Sequence, residues 1–185
     1  MLKNDGVLPL KPAAVKKIAI IGAAANSTAY DPTSDQGHGT WNTGDYYSGG
    51  GSGHVTAGYV ISPLAGLTRR AEAAGIEVVA SVTDDVQSAL AAAAAADVAI
   101  VVGGTSSGEA LDRANLGLDG QQDALISAVA AAAKKTVVLA ATPGALLTPW
   151  REQANAALVL FLGGQESGNA WASVLFGDHS PTGAF

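Results

Sequence analysis

Glu109 is the residue whose type and position in this chain best suit chemistry. It lies in the polar stretch GGTSSGEALDRANLGLDGQQ at 103–122, between the apolar runs DVAIVV and DALISAVAAAA. A carboxyl group on a loop can act as a general acid if burial by a substrate or a partner domain raises its pKa. The nearby Asp112 and Arg113 predict an ion pair that pins this loop. A lone glutamate on a loop is nevertheless most often a solvated surface acid, and the residues by themselves favour that interpretation.

The second candidate is the glycine-rich segment GGGSG at 49–53. A Walker phosphate loop is excluded, because His-Val rather than Lys-Ser or Lys-Thr follows the last glycine. The first apolar run ends in IGAAAN, which lacks the glycines of a dinucleotide fingerprint, and the serine-hydrolase elbow G-x-S-x-G is not matched. Two interpretations remain. One is a tight turn with unusual backbone angles, and the other is a loop where Gly51 and Gly53 let a ligand approach the Ser52 hydroxyl.

The remaining polar and aromatic candidates have simpler explanations. The three histidines, His38, His54 and His179, are too scattered for a metal signature, so we expect no metal and no cofactor. Glu166 begins a predicted helix, where a negative charge suits the helix dipole. The aromatic residues of the segment after the first strand would either stack on a sugar or pack that segment on the domain; they include Trp41, Tyr46 and Tyr47.

Composition narrows the class of protein. The 185 residues are 48% hydrophobic and only 14% charged, as expected for one domain, residues 1–185, whose sheet is covered on both faces. The net charge of −6 and the absence of a basic run argue against nucleic acid as a partner. No apolar run is long enough for a membrane span, and the absence of cysteine excludes disulfides and thiolate chemistry.

Five short apolar runs alternate with helical patterns. We predict strands at 17–22, 76–82, 97–104, 135–142 and 156–164, because these runs lack strict alternation and end near glycine or small polar residues. Strands alternating with helices predict an α/β fold, an open and mostly parallel sheet with helices on both faces. Ligands bind beyond the carboxyl ends of such strands, so the loops after residues 22, 103, 142 and 163 form the expected ligand edge.

Local signals mark the ends of the predicted helices. Ser62 caps a helix that has Pro63 in its first turn, and Thr83 caps the next. Asp119 and Gln122 are spaced as a capping box for the third helix. The fourth helix is predicted to bury one face, formed by Ala170, Trp171, Val174 and Leu175.

A long insertion follows the first strand. Residues 23–61 show no clear helix but contain four aromatic residues up to position 47, which argues against plain disorder. Because the insertion leaves the end of the first strand, we expect it at the same edge as Glu109.

Several ordered motifs together resemble the second, α/β-sandwich domain of glycoside hydrolase family 3, the β-glucosidase group. The resemblance covers nearly the whole chain. It is carried by LKNDGVLPL at 2–10, KIAIIG, GGGSG, SPLAGL, the block ADVAIVVGGTSSGEALDRANLGLDGQQDALI at 96–126, and GGQESGNAWASVLFGDHSPTGAF at 163–185. The implied fold is the flavodoxin-like α/β sandwich.

The resemblance also implies a function and its residues. Glu109 matches the family's acid/base, and Ser52, with Gly51 and Gly53, matches a loop that contacts substrate. The nucleophile would be an aspartate on an N-terminal (β/α)8 barrel domain that this chain does not contain. The implied reaction is retaining hydrolysis of a β-linked glucoside or oligosaccharide by two carboxyl groups. Two departures from the family pattern are Ala110 in place of a common glycine and Asp119 in place of a common proline.

Two other functions remain open at this stage. The chain could be a stand-alone carbohydrate-binding or scaffold domain without catalysis. A nucleotide-binding, flavodoxin-like role is disfavoured because no phosphate loop follows the first strand. The sequence leaves the compartment open, and a secreted or periplasmic location is compatible with a full-length enzyme of this family.

Overall fold

The computed structural model describes residues 1–26, 46–110, 112–181 and 183. Six strands form one sheet in these residues: β1 (Lys3–Asn4), β2 (Lys17–Ile21), β3 (Glu77–Ser81), β4 (Val98–Gly104), β5 (Thr136–Ala141) and β6 (Ala156–Leu160). The order across the sheet is β1-β6-β5-β4-β2-β3, and every pairing is parallel except that of β1 with β6. The predicted α/β class, its mostly parallel sheet and its α/β-sandwich architecture are therefore confirmed.

The inner strands β2, β4 and β5 are buried on both faces, as the unbroken apolar runs predicted. The four helices of the described residues are α1 (Pro63–Ala73), α2 (Val86–Ala94), α3 (Gln122–Ala132) and α4 (Ser167–Leu175). One face packs Ile20, Ile100 and Leu139 against α1 and α4, and the other packs alternate strand residues against α2 and α3. All seven residues of the central strand β4 are buried. Covering both faces explains why the strand sequences do not alternate.

The start of α1 agrees with the prediction, whereas the start of α2 does not. Ser62 caps α1, and its hydroxyl accepts a hydrogen bond from the Ala65 amide at 3.1 Å. The predicted Thr83 cap of α2 is wrong, because Asp85 is the cap and its carboxylate accepts from the Ser88 amide at 2.8 Å. Thr and Asp are both common at helix N-caps, so the residue type alone does not decide between Thr83 and Asp85. The helix begins after Asp85 because its carboxylate bonds to an amide of the first turn.

The predicted capping box of α3 is also wrong. Gln122 Oε1 accepts from the Gly104 amide at 2.7 Å, and the Asp119 carboxylate accepts from the Tyr46 hydroxyl at 3.1 Å. No side chain caps the first turn of α3. Gln122 instead links the start of α3 to the end of β4, and Asp119 links it to Tyr46 in the insertion that follows β2.

In α4, Trp171 and Leu175 of the predicted face are buried, whereas Ala170 is exposed and Val174 is partly buried. Ala172, which was not predicted, is buried as well. Glu166 precedes the helix as predicted, but its side chain makes no capping hydrogen bond. Its carboxylate is used elsewhere at the ligand edge, as described below.

The insertion after β2 is described only in part. It begins with the short 3-10 helix Ala23–Asn26, and the chain is described again from Tyr46. The predictions for His38 and Trp41 fall outside the described residues. In the described part, no helix is long and apolar enough to span a membrane, and no cluster of His, Cys, Asp and Glu is suited to hold a metal ion.

Candidate functional site

Two loops meet beyond the carboxyl end of β4. Gly50 and Gly108 form an isolated parallel bridge. The Gly50 amide donates to Ser107 O at 3.3 Å, and the Glu109 amide donates to Gly50 O at 3.4 Å. The structure therefore brings together the two segments that the sequence had singled out separately, GGGSG and SSGEA.

Ser52 and Glu109 are the side chains at this junction. The Ser52 amide donates to Glu109 Oε2 at 2.8 Å, and the Ser52 hydroxyl donates a very short hydrogen bond to the same oxygen. The hydroxyl, and secondarily the amide, hold the pKa of Glu109 below its usual range, because both bonds favour the charged form. Glu109 is exposed, so in the chain as described it is an ionised carboxylate facing solvent.

Gly51 is the residue that allows the two loops to approach. Its φ is +84°, and a Cβ placed there would lie 2.3 Å from Glu109 Cβ. Gly53 differs, because a Cβ there would meet no atom within 4 Å. The backbone approach seen in this loop is at Gly51, against the glutamate of the neighbouring loop; access of a ligand to Ser52 stays a prediction.

The loop after Glu109 is held differently from the prediction. Arg113 forms no ion pair with Asp112 in the described residues; its Nη2 donates to Ala145 O at 2.6 Å, on the segment after β5. The predicted Asp112–Arg113 pair is wrong, because the guanidinium reaches across to a main-chain carbonyl. Ala110, directly after Glu109, has φ of +61°, which L-residues with a side chain rarely adopt.

Tyr46 and Tyr47 are packing residues, which answers one question that the sequence left open. They are 4% and 2% exposed, so neither ring is available to stack on a sugar. The Tyr46 ring covers Gly104 at the end of β4, where a Cβ would lie 2.6 Å from Tyr46 Cγ. Burial, together with the charge of Asp119, raises the pKa of the Tyr46 hydroxyl.

A group of residues missed by the sequence analysis surrounds Glu166. The half-exposed Tyr59 donates its hydroxyl to Glu166 Oε1 at 2.5 Å, and Asn169 Nδ2 donates to Oε2 at 2.5 Å. Arg69 in turn donates to Asn169 Oδ1. The Tyr59 hydroxyl, followed by the Asn169 amide, lowers the pKa of Glu166. Nothing in the local pattern could have linked Tyr59 to Glu166, since 107 positions separate them.

A cavity of about 330 Å³ lies at the opposite edge of the sheet, beside the starts of β4 and β5. Asp97 lines this cavity, and its carboxylate accepts hydrogen bonds from the Lys16 and Lys17 amides at 2.9 and 3.1 Å. These bonds tie the chain before β2 to the chain before β4, so Asp97 serves the fold.

The whole chain, residues 1–185, matches the family model described as the glycosyl hydrolase family 3 C-terminal domain. A probable beta-glucosidase L of Aspergillus terreus is 38% identical over 197 residues, which cover 99% of this chain and 26% of the relative. A beta-glucosidase of Schizophyllum commune is 42% identical over 137 residues, covering 68% of this chain and 71% of the relative. The chain spans about a quarter of the length of the relatives that it matches from end to end.

Solved structures agree with the family match. The beta-D-glucoside glucohydrolase of Trichoderma reesei superimposes with a TM-score of 0.84 at 36% identity, over 98% of this chain and 27% of that one. A family 3 beta-glucosidase of Neurospora crassa gives a TM-score of 0.87 at 34% identity, over 98% and 23%. This chain belongs to the glycoside hydrolase family 3 C-terminal domain family.

Proposed function

We propose that this chain is the acid/base-bearing domain of a retaining β-glycosidase, with residues 1–185 as a single domain. The nucleophilic aspartate would come from an N-terminal (β/α)8 barrel domain. The proposal is supported by the relatives, which are named beta-glucosidases and are about four times as long as this chain. The observation that carries it is the Glu109 carboxylate, which Ser52 fixes at the exposed ligand edge of the sheet.

Glu109 would act twice in each reaction cycle. In the first step its carboxyl group donates a proton to the glycosidic oxygen while the barrel aspartate attacks the anomeric carbon. In the second step the Glu109 carboxylate accepts a proton from the water that releases the glycosyl-enzyme intermediate. The ionised state favoured by Ser52 suits the second step. The first requires the protonated state, which burial beneath a substrate and a second domain would favour.

The substrate would be a β-linked glucoside or oligosaccharide, and the protein partner would be the barrel domain. Ser52 is the proposed contact to the sugar, with Gly51 and Gly53 as the glycines that give access to it. We propose neither a nucleic-acid nor a membrane partner.

The test joins this chain to the N-terminal barrel domain of one of its Aspergillus relatives; we call this protein the two-domain enzyme. Loss of a general acid should lower kcat/KM for cellobiose about 10²–10⁴-fold in Glu109→Ala. An aryl glucoside with a good leaving group should lose much less, and azide should restore turnover. Glu166→Ala is the matched control, because it removes another exposed carboxylate at the same edge.

Near-normal cleavage of cellobiose by Glu109→Ala would rule out the acid/base role. Calorimetry on the chain alone gives an independent result. Tight binding of glucose or cellobiose without any barrel would favour a stand-alone carbohydrate-binding domain over a catalytic one.

A further inference from the structure

We propose that Ser52 is a positioning residue that acts through Glu109, and that Glu109 Oε1 is the oxygen that exchanges the proton with the substrate. This inference rests on the proposed acid/base role of Glu109. It assigns to Ser52 a task on the catalytic carboxyl group, beyond a contact to the sugar.

The geometry distinguishes the two oxygens of Glu109. Oε2 accepts two hydrogen bonds from one residue, the Ser52 amide and the Ser52 hydroxyl, whereas Oε1 accepts none from the described residues. An oxygen that already accepts two strong donors is a poor site for a proton, because protonation would give up at least part of both bonds. Oε1 is therefore the oxygen left to carry the proton.

Two donors on one oxygen also fix the direction of the carboxyl group. Glu109 is exposed, and among the described residues Ser52 supplies the hydrogen bonds to its carboxylate, so these bonds restrict its rotation. The main-chain contacts between Gly50 and residues 107–109 set the distance between the two loops. General acid catalysis needs the donor within hydrogen-bond reach of the leaving oxygen, so this restriction has a direct catalytic value.

Ser52 is also the group that sets the charge state of Glu109 in the described chain. No charged side chain in the described residues contributes to the lowered pKa, whose causes are the Ser52 hydroxyl and then its amide. The other titratable side chain on residues 48–54 is His54, whose Nδ1 lies 3.0 Å from Gly49 O. Residues 105–110 carry no titratable side chain besides Glu109.

Positioning and sugar contact predict different losses in Ser52→Ala. A lost sugar contact weakens every glucoside alike, because all share the same glucosyl unit. A misdirected acid affects mainly substrates whose leaving group needs a proton. Ser52→Ala should therefore lower kcat/KM for cellobiose about 10–100-fold while changing an activated aryl glucoside much less. Without the hydroxyl the pKa of Glu109 should rise, so the basic limb of the kcat/KM profile should move to higher pH.

The experiment compares four forms of the two-domain enzyme: wild type, Ser52→Ala, Ser52→Thr and Ser48→Ala. Ser52→Thr keeps the hydroxyl at an exposed position. It should therefore keep the wild-type ratio of kcat/KM for cellobiose to kcat/KM for the aryl glucoside, and the wild-type pH of the basic limb. Among the described residues, the Ser48 hydroxyl bonds within its own loop, to Gly49 O and the Val55 amide, so Ser48→Ala should change neither. Carbon-13 NMR titration of Glu109 in the 185-residue chain should show the same upward shift in Ser52→Ala alone.

Each other outcome decides against the inference. Equal losses on both substrates with an unmoved basic limb would make Ser52 a sugar contact only. Unchanged titration of Glu109 in Ser52→Ala would remove the link between the two residues. Glu109→Gln, measured beside these variants, tests the acid/base role of Glu109 separately from the positioning role of Ser52. If it still cleaves cellobiose, the proposed function fails. If it is inactive while Ser52→Ala behaves as wild type, only the positioning role fails.

Discussion

A single methyl group at Gly51 should separate the two loops that carry Ser52 and Glu109. Gly51 has φ of +84°, and an added Cβ would lie 2.3 Å from Glu109 Cβ and 3.2 Å from the Glu109 amide nitrogen. The first of these distances is far below van der Waals contact, and neither atom is the free end of a side chain. Gly51→Ala therefore has to move one backbone away from the other.

The size of the effect follows from two costs. A left-handed conformation costs a residue with a side chain roughly 1–2 kcal/mol, and overpacking typically costs roughly 1–3 kcal/mol. Both loops lie at an exposed edge, so their separation relieves most of the clash. We expect the free energy of unfolding to fall by about 2 kcal/mol, which lowers Tm by about 4–8 °C for a domain of this size.

Thermal unfolding of the chain and cellobiose hydrolysis by the two-domain enzyme measure the two consequences. Gly58→Ala is the matched control, because Gly58 lies on the same segment and a Cβ there meets no atom within 4 Å. A displaced carboxyl group should lower kcat/KM of Gly51→Ala about 100-fold, with Gly58→Ala unchanged. If the two variants had the same Tm and the same activity, the contact at Gly51 would not be what holds Glu109 in place.

Three further predictions concern stability. Ala110→Gly should raise Tm by about 1–4 °C, because relief of positive φ exceeds the added chain entropy of glycine; an unchanged or lower Tm would contradict this. Asp123→Ala should lower the urea-unfolding free energy by about 1–3 kcal/mol, because it leaves the buried Trp150 Nε1, now 2.7 Å from Asp123 Oδ1, without its acceptor; the exposed Asp112→Ala is its control. Two main-chain N–H groups lower the pKa of Asp97, so its stabilisation is present above the usual Asp pKa and is lost as pH falls. Asp97→Asn should therefore lower Tm at pH 7 and flatten its decline below about pH 4, as calorimetry at several pH values would show.

The sheet could be predicted from the sequence because its signal is local. Each of the five parallel strands lies in a short apolar run bounded by small or polar residues, and burial of β2, β4 and β5 on both faces leaves no alternation to misread. The strand β1 was missed, because two polar residues, Lys3 and Asn4, carry no hydrophobic pattern. Its position beside β6 depends on pairing with a strand that lies far along the chain.

Contacts between residues far apart in the sequence could not be predicted, either at the helix starts or at the candidate site. Asp119 and Gln122 have capping-box spacing, yet both side chains bond to distant partners, Tyr46 and Gly104. Glu109 is predicted as a site residue from its motif and its place after β4, and its role stays a prediction. Its contact with Ser52 joins residues 57 positions apart, and no periodicity or spacing reports such a contact.

The backbone around Glu109 explains how two loops can direct one carboxyl group. Gly51 precedes Ser52 and Ala110 follows Glu109, and both adopt positive φ, so the chain turns sharply beside each of these two side chains. For Ala110 this conformation is strained, and strained conformations persist where the surrounding structure determines them and concentrate at functional sites. Here the bridge between Gly50 and Gly108 supplies that determination. Glu109 is exposed in the chain alone, and its hydrogen bonds from Ser52 favour the ionised state. A second domain that covers this edge would raise the pKa of the Glu109 carboxyl group, whose direction is already set. The group would then be protonated more readily and could donate a proton as a general acid.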